Sequence, residues 1–248
     1  MPNSKFLLYI DILGFKDLVN NNNDKINELF NCIDNLYINK HSFLKIIVFS
    51  DTILVFNPKE PGTKDYSNVT VMDLCEFAQH LLLYMCVDLK IHFRAILTKG
   101  EFYYSKLKNI ESYYGKALNF AHEKEKEING IGLFIDKGIL NYNIIYPTIR
   151  FDDDFHFVYL TQNLSDLNEY FTIENPVIHA SLNKMVLLKP EIEMLKLIKD
   201  NIENQVDSKI RGKYLMTYHL YKIRYKEIIE YFEFSDFKYI VIGEDDIF

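Results

Sequence analysis

An α+β fold is predicted, with a ferredoxin-like core in which helices cover one face of a mainly antiparallel sheet, followed by a helical C-terminal extension. Three observations predict it. Strand-like apolar runs and amphipathic stretches follow one another in the order β-α-β-β-α-β-α-β up to about residue 140. Two runs rich in Ile, Val and Phe flank Ser50-Asp51-Thr52, as in a tight hairpin. From Pro190 to Phe232 the helical period dominates, with a break near Asp207.

The elements justify this order. Lys5 to Asp11 is a short apolar strand that ends at Ile12-Leu13-Gly14-Phe15, where the glycine lets the chain turn into a helix of roughly twenty residues, interrupted by Asn20–Asn23. Lys45 to Phe56 carries the hairpin, and a loop with Pro58, Pro61 and Gly62 leads to a helix near Val69 to Asp88. A strand follows at Ile91 to Tyr104, a helix at Gly115 to Ile128 and a strand at Gly132 to Asp136. Residues 1–140 therefore read as the core domain, and 141–248 as an extension. That extension starts with loop-like Pro147 to Asp154 and a strand at Phe157 to Leu160, then folds as a helical hairpin packed on the core or supporting a dimer contact.

Composition narrows the function classes. A chain of 248 residues with 48% hydrophobic content can bury a good-sized core, which excludes a disordered or fibrous protein. Its net charge of −7 argues against a nucleic-acid binder, since gripping a polyphosphate backbone needs excess Lys and Arg. No run approaches the roughly eighteen apolar residues of a membrane span, and Met1-Pro2-Asn3-Ser4-Lys5 leads into a strand rather than a signal peptide. A cytoplasmic protein without membrane or nucleic-acid partners is the expectation. Cys32, Cys75 and Cys86 lack CxxC spacing and read as reduced, mostly buried thiols.

Two carboxylates stand where chemistry could occur. Asp11 closes an apolar strand before a glycine turn, and Asp51 sits at the tip of an apolar hairpin. Paired carboxylates at strand ends can hold Mg²⁺ or Mn²⁺ against a phosphate, which a helix N-terminus also favours. Each could equally cap or turn the chain, as aspartates often do.

Four motifs, in order over about residues 5–136, carry a resemblance. Asp11-Ile12-Leu13-Gly14-Phe15 resembles the first metal-binding motif of the class III nucleotidyl cyclases, and Phe49-Ser50-Asp51 resembles the hairpin with their second metal aspartate, usually preceded by glycine. Phe93-Arg94-Ala95-Ile96-Leu97-Thr98-Lys99-Gly100-Glu101 is similar to the family's arginine strand, and Gly115-Lys116-Ala117-Leu118-Asn119-Phe120-Ala121 to its late helix. The resemblance implies a metal group of Asp11, Ile12 and Asp51 holding two Mg²⁺ or Mn²⁺ ions, about 3.5–4 Å apart in such sites. It implies substrate contacts at Ile12, Gly14, Phe15 and Arg94, the last on the triphosphate. It also implies a homodimer with composite sites, in which Asn119 of the opposite protomer orients the ribose.

The chain departs from the purine cyclases in two places. Four residues after Asn119, where they carry the arginine that stabilises the leaving phosphate, stands Glu123, which cannot stabilise developing negative charge; Lys124, Lys116 or Lys99 would have to substitute, Lys124 being the catalytic candidate. At the base-reading positions stand Ile47 and Ser112. An apolar Ile47 offers a purine edge no hydrogen bond.

The pyrimidine cyclases of Pycsar anti-phage systems are more similar: they share the Asp-Ile-Leu-Gly-Phe opening, the Ser-Asp hairpin, the arginine strand and a late helix running to a glutamate, here Gly115 to Glu125. They also tend to have an aromatic and basic helical extension, as at Arg211-Gly212-Lys213-Tyr214. That resemblance implies UTP or CTP as substrate and cyclic UMP or cyclic CMP as product, made as an anti-phage second messenger. The alternative is a cyclase-like module that binds a nucleotide or a protein without turnover. His122 reads as a helix histidine, His80 and His92 as core or boundary residues, and Asp152-Asp153-Asp154 as a solvated loop.

Overall fold

A computed structural model of the chain describes residues 3–38, 44–60, 62–169, 171 and 182–238. Met1, Pro2, the loop proline Pro61 and positions 239–248 of the expected extension lie outside the described residues. Two compact units are present, Met1–Leu160 and Thr161–Phe248.

The first unit is built on β1 (Ser4–Ile12), whose Phe6, Leu7, Leu8 and Ile10 are fully buried. A strand covered on both faces needs such a continuous apolar run, and each of these side chains contributes roughly 1.5–3 kcal/mol of burial. β1 turns through Leu13 and Gly14, whose backbone is left-handed at φ 74°, into α1 (Phe15–Asn21). The expected interruption falls at Asn22, after which α2 (Asn23–Ile38) resumes. β2 (Lys45–Phe49) and β3 (Thr52–Phe56) form the hairpin. α3 (Lys64–Tyr84) starts five residues before the expected Val69, because the Thr63 hydroxyl accepts the Tyr66 N–H and caps it. It runs into one π-helical turn, Met85–Leu89.

β4 (Phe93–Glu101) pairs antiparallel with β1 along its whole length. The single long strand expected at Ile91 to Tyr104 is in fact β4 and the first two residues of β5 (Tyr103–Lys106), which forms a separate hairpin with β6 (Glu111–Tyr114), a strand the sequence reading did not place. α4 (Lys116–Glu125) then returns the chain to β7 (Gly132–Asp136), which lies parallel to β4. After a 3-10 turn at Lys137–Tyr142 come β8 (Thr148–Arg150) and β9 (Phe155–Val158). Among the described residues these give a seven-stranded sheet, β2-β3-β1-β4-β7-β9-β8, antiparallel except at β4–β7. The expected boundary at 140/141 is therefore corrected to 160/161: β9 pairs with β7 from Leu133↔Val158 to Asp136↔Phe155, so the chain to Leu160 completes the sheet.

The second unit is helical, as expected: α5 (Gln162–Asn168), α6 (Leu182–Asn204), α7 (Ser208–Arg224) and α8 (Lys226–Phe234). Asp207 makes the break between α6 and α7, its carboxylate accepting the Lys209 and Ile210 N–H groups at 2.8 and 3.0 Å. Buried Glu191 ties α6 to α5 by accepting from Asn163 and Leu164. No helix among the described residues is long and apolar enough to cross a membrane.

Candidate active site

The pairing register brings the two carboxylates together. Asp11 on β1 faces Thr52 on β3, the residue after Asp51, and the Ile12 N–H donates to the Asp51 carbonyl oxygen at 2.8 Å. The hairpin tip is thus tied to the end of β1. Asp11 and Asp51 line one cleft of about 480 Å³, together with Tyr9, Asn119, His122, Glu125 and Lys126. Tyr9 stands two residues before Asp11, hence on the same face of the sheet. Burial raises its phenol above the ordinary value; a hydrogen bond with Thr52 opposes that, and the charges of both Asp11 and Asp51 add to it. One hydroxyl therefore senses both carboxylates.

Ser50 and Asp51 are the two turn residues of the hairpin, and Ser50 has a left-handed backbone at φ 56°. Such hairpin positions favour glycine, and a side-chain-bearing residue there holds some backbone strain. At the other wall, α4 is brought close by Gly115. Its φ is 151°, and an added Cβ would stand 2.2 Å from the Glu101 carbonyl oxygen, so only glycine lets the start of α4 pack on the end of β4. The Asn119 N–H bonds to the Gly115 carbonyl, which fixes Asn119 one turn later, exposed and in the cleft.

Other sequence candidates fall in different places. Ile12 is buried at the end of β1, Gly14 caps α1, and Phe15 is its half-buried first residue. Ile47 lies on the cleft face by register, across Leu54 from Tyr9 and two residues before Phe49 on β2, which lines the cleft where Ile47 itself does not. Ser112 is in β6, opposite Ser105, and it is the next residue, Tyr113, that reaches the cleft.

Arg94 does not line the cleft. It is buried on β4 directly opposite Asp11, with Nη1 donating to the Ile128 carbonyl at 2.7 Å and Nη2 paired with Glu125 and 3.7 Å from Asp11 Oδ2. Burial pulls its guanidinium below the ordinary value, and Asp11 and Tyr9 oppose this. Lys124 also lies off the cleft, its ammonium held by Glu127 at 2.8 Å and Asp154 at 3.2 Å, which raise its pKa. The cation on the cleft wall is Lys126, two residues on. Asn119, expected from an opposite protomer, reaches the same cleft as Asp11 and Asp51 within one chain.

Tyr9, Glu125 and Lys126 were missed as site residues. Tyr9 had a signal in strand period, and Glu125 a better one: Ala117, Ala121 and Glu125 recur every four residues and form the buried stripe of α4. A glutamate on such a stripe calls for a buried cation.

Among the described residues, no group of three or more His, Cys, Asp or Glu gathers as a complete metal centre. Two carboxylates on one cleft still suit Mg²⁺ or Mn²⁺ in the manner of phosphate-processing sites, where substrate oxygens and water complete the coordination.

No protein-family model matches the chain, and no curated protein matches it. Among solved structures it is similar to the monomeric guanylyl cyclase domain of the RhoGC fusion protein from the aquatic fungus Blastocladiella emersonii, at 17% identity and TM-score 0.50, over 63% of this chain and 94% of that one. It is similar, too, to the catalytic core of a rhodopsin-guanylyl cyclase with converted specificity, solved with ATPαS, at 15% identity and TM-score 0.50, over 63% and 96% of the two chains. The chain has the class III cyclase fold. At these identities the likeness is one of fold, and the share it covers is close in size to the first unit.

Proposed function

We propose that the protein is a nucleotidyl cyclase that converts a pyrimidine nucleoside triphosphate, UTP or CTP, to its 3′,5′-cyclic monophosphate and pyrophosphate. The observation that carries this reading is the convergence of Asp11 and Asp51 on one cleft within a class III cyclase fold. In the reaction the ribose 3′-oxygen bonds to the α-phosphorus, the bond from that phosphorus to the bridging oxygen of the β-phosphate breaks, and pyrophosphate leaves. The proton of the 3′-hydroxyl passes to solvent. Asp11 and Asp51, with the backbone of Ile12, would hold Mg²⁺ or Mn²⁺, which when bound neutralises the triphosphate and makes the attacking hydroxyl more acidic.

The remaining roles fall to residues on the cleft. Asn119 orients the ribose through its amide, and Lys126 replaces Lys124 as the cation nearest the leaving phosphate. Ile47, on the cleft face, and Ser112, on the β5–β6 hairpin, favour a pyrimidine because they supply no purine-reading pair of polar groups. A homodimer and a role in anti-phage signalling through cyclic UMP or cyclic CMP belong to the same proposal.

The test is to incubate the purified chain with each of the four ribonucleoside triphosphates and Mn²⁺ or Mg²⁺ and to separate the products. One cyclic pyrimidine nucleotide with equimolar pyrophosphate is the expected result. Cyclic AMP or GMP would overturn the base assignment, and no product with any triphosphate and either metal would leave a nucleotide- or protein-binding module in place of an enzyme.

A further inference from the structure

The Arg94 guanidinium lies between two carboxylates but is not shared equally by them. Glu125 is its direct ion partner, whereas Asp11 Oδ2 stands 3.7 Å from Nη2, outside the roughly 2.7–2.9 Å of a charge-assisted hydrogen bond. The second nitrogen, Nη1, is spent on the Ile128 carbonyl at 2.7 Å, and the buried Nε has no hydrogen-bond partner. Both Arg94 and Glu125 are about 6% exposed at their side chains, so water does little to screen them. α4 approaches β4 closely enough for this pairing because its buried stripe begins with two alanines and Gly100 faces Ala117.

This arrangement matters for the neighbouring carboxylates. An arginine opposite Asp11 and otherwise unpaired would neutralise that aspartate, leaving only Asp51 with net charge for a divalent cation. With Glu125 on the guanidinium, the three carboxylates Asp11, Asp51 and Glu125 outweigh one cation by two charges. The exposed Lys126 belongs to the solvated rim and changes this less.

We propose that Glu125 is a positioning residue that sets the divalent-cation affinity of the cleft by holding Arg94 off Asp11. It acts as a counter-charge one shell behind the ligand, a place from which substitutions commonly change metal affinity by about 10- to 100-fold. The proposal rests on the reading of Asp11 and Asp51 as metal ligands given under Proposed function. It also gives Arg94, buried behind the cleft and absent from its lining, a role other than contact with substrate.

The test is a Mn²⁺ titration of the full-length chain without nucleotide, read from the paramagnetic resonance signal of the free ion, with circular dichroism to establish folding. Glu125→Gln is expected to weaken Mn²⁺ binding about tenfold or more. Replacing the pair together, Arg94→Met with Glu125→Leu, removes the competing cation along with its counter-charge and is expected to restore binding to within about threefold of wild type, since apolar pairs commonly replace buried ion pairs without loss of fold. A role for Glu125 in packing alone would leave the double variant at least as weak as the single one. Unchanged binding in a folded Glu125→Gln protein would overturn the proposal, and so would a folded double variant that does not recover. Failure of the underlying reading looks different: the wild-type chain would then bind no Mn²⁺, or bind it equally well as Asp51→Asn, and this proposal would fall with it.

Discussion

Asp11 and Asp51 are the same residue type on the same cleft, yet the chain supports them in opposite ways. Asp11 stands inside a sheet, on a strand paired on both sides, opposite an arginine that Glu125 and a backbone carbonyl hold in place. Behind it the Leu13 N–H donates to the His92 carbonyl at 2.9 Å, and His92 itself is buried. Asp51 instead sits in a two-residue turn next to a left-handed Ser50, held to β1 by one backbone bond from Ile12. The difference teaches that one aspartate is locked by buried charge and the other by local backbone geometry. Damage to the two should therefore look different.

The largest expected effect is on the locked side. Glu125→Leu removes one partner of a buried ion pair and should lower unfolding stability by about 3–5 kcal/mol in a urea titration. Adding Arg94→Met should recover most of that loss, because the orphaned charge is then gone; additive losses would break the contrast. The second effect is one of pH. Burial lowers the His92 imidazole to about 4, whereas in the unfolded chain it titrates near 6.5. The unfolded state then binds the extra proton between those values, so the contribution is present above about pH 6.5 and is lost as pH falls towards 4. At about 1.36 kcal/mol for each unit of pKa difference the loss is about 3 kcal/mol. Urea unfolding at a series of pH values should show this slope for wild type and not for His92→Leu.

The smallest effect is on the turn. Ser50→Gly relieves a left-handed residue of a strain on the order of 1–3 kcal/mol, partly offset by the added freedom of glycine in the unfolded chain, for a net gain of about 1 kcal/mol in stability. A loss of stability would mean that the Ser50 side chain supports the turn in a way the backbone geometry does not reveal.

Much of the first unit was legible because its signals are local. The near-continuous apolar run of β1, the turn residues at Ser50-Asp51 and the glycine before Phe15 each constrain a few neighbouring residues, and the elements formed where those patterns lie. β7 matched its expected limits for the same reason. What sequence reading lost depends on distant partners. β8 is a three-residue run that becomes a strand only by pairing with β9, and β9, anticipated two residues late at Phe157 to Leu160, was assigned to the extension because its pairing with β7 is not visible locally, so the boundary was set twenty residues too early. The start of β5 was merged into β4 because strand-like aromatic sequence continues across the join at Phe102, and β6 was not placed at all. Asp11, Asp51 and Asn119, picked out by their motifs, share one cleft, whereas Lys124 was chosen by proximity in sequence alone. A side chain on a helix can face away from its neighbour's cleft, and Lys124 does, towards Glu127 and Asp154. Arg94 was expected at the triphosphate, and its burial between Asp11 and Glu125 depends on a residue 31 positions later, read in the sequence only as the end of the late helix.

One measurement bears most directly on the two aspartates: cyclic nucleotide formation from UTP and CTP with Mn²⁺ by wild type, Asp11→Asn and Asp51→Asn, each checked for folding by circular dichroism. The expected result is a cyclic product from wild type and a fall of at least about 100-fold in both folded variants, since on the proposed reading each loses one of the two carboxylates that would hold the metal. Product formation by either variant at the wild-type rate would contradict the joint role of these two side chains.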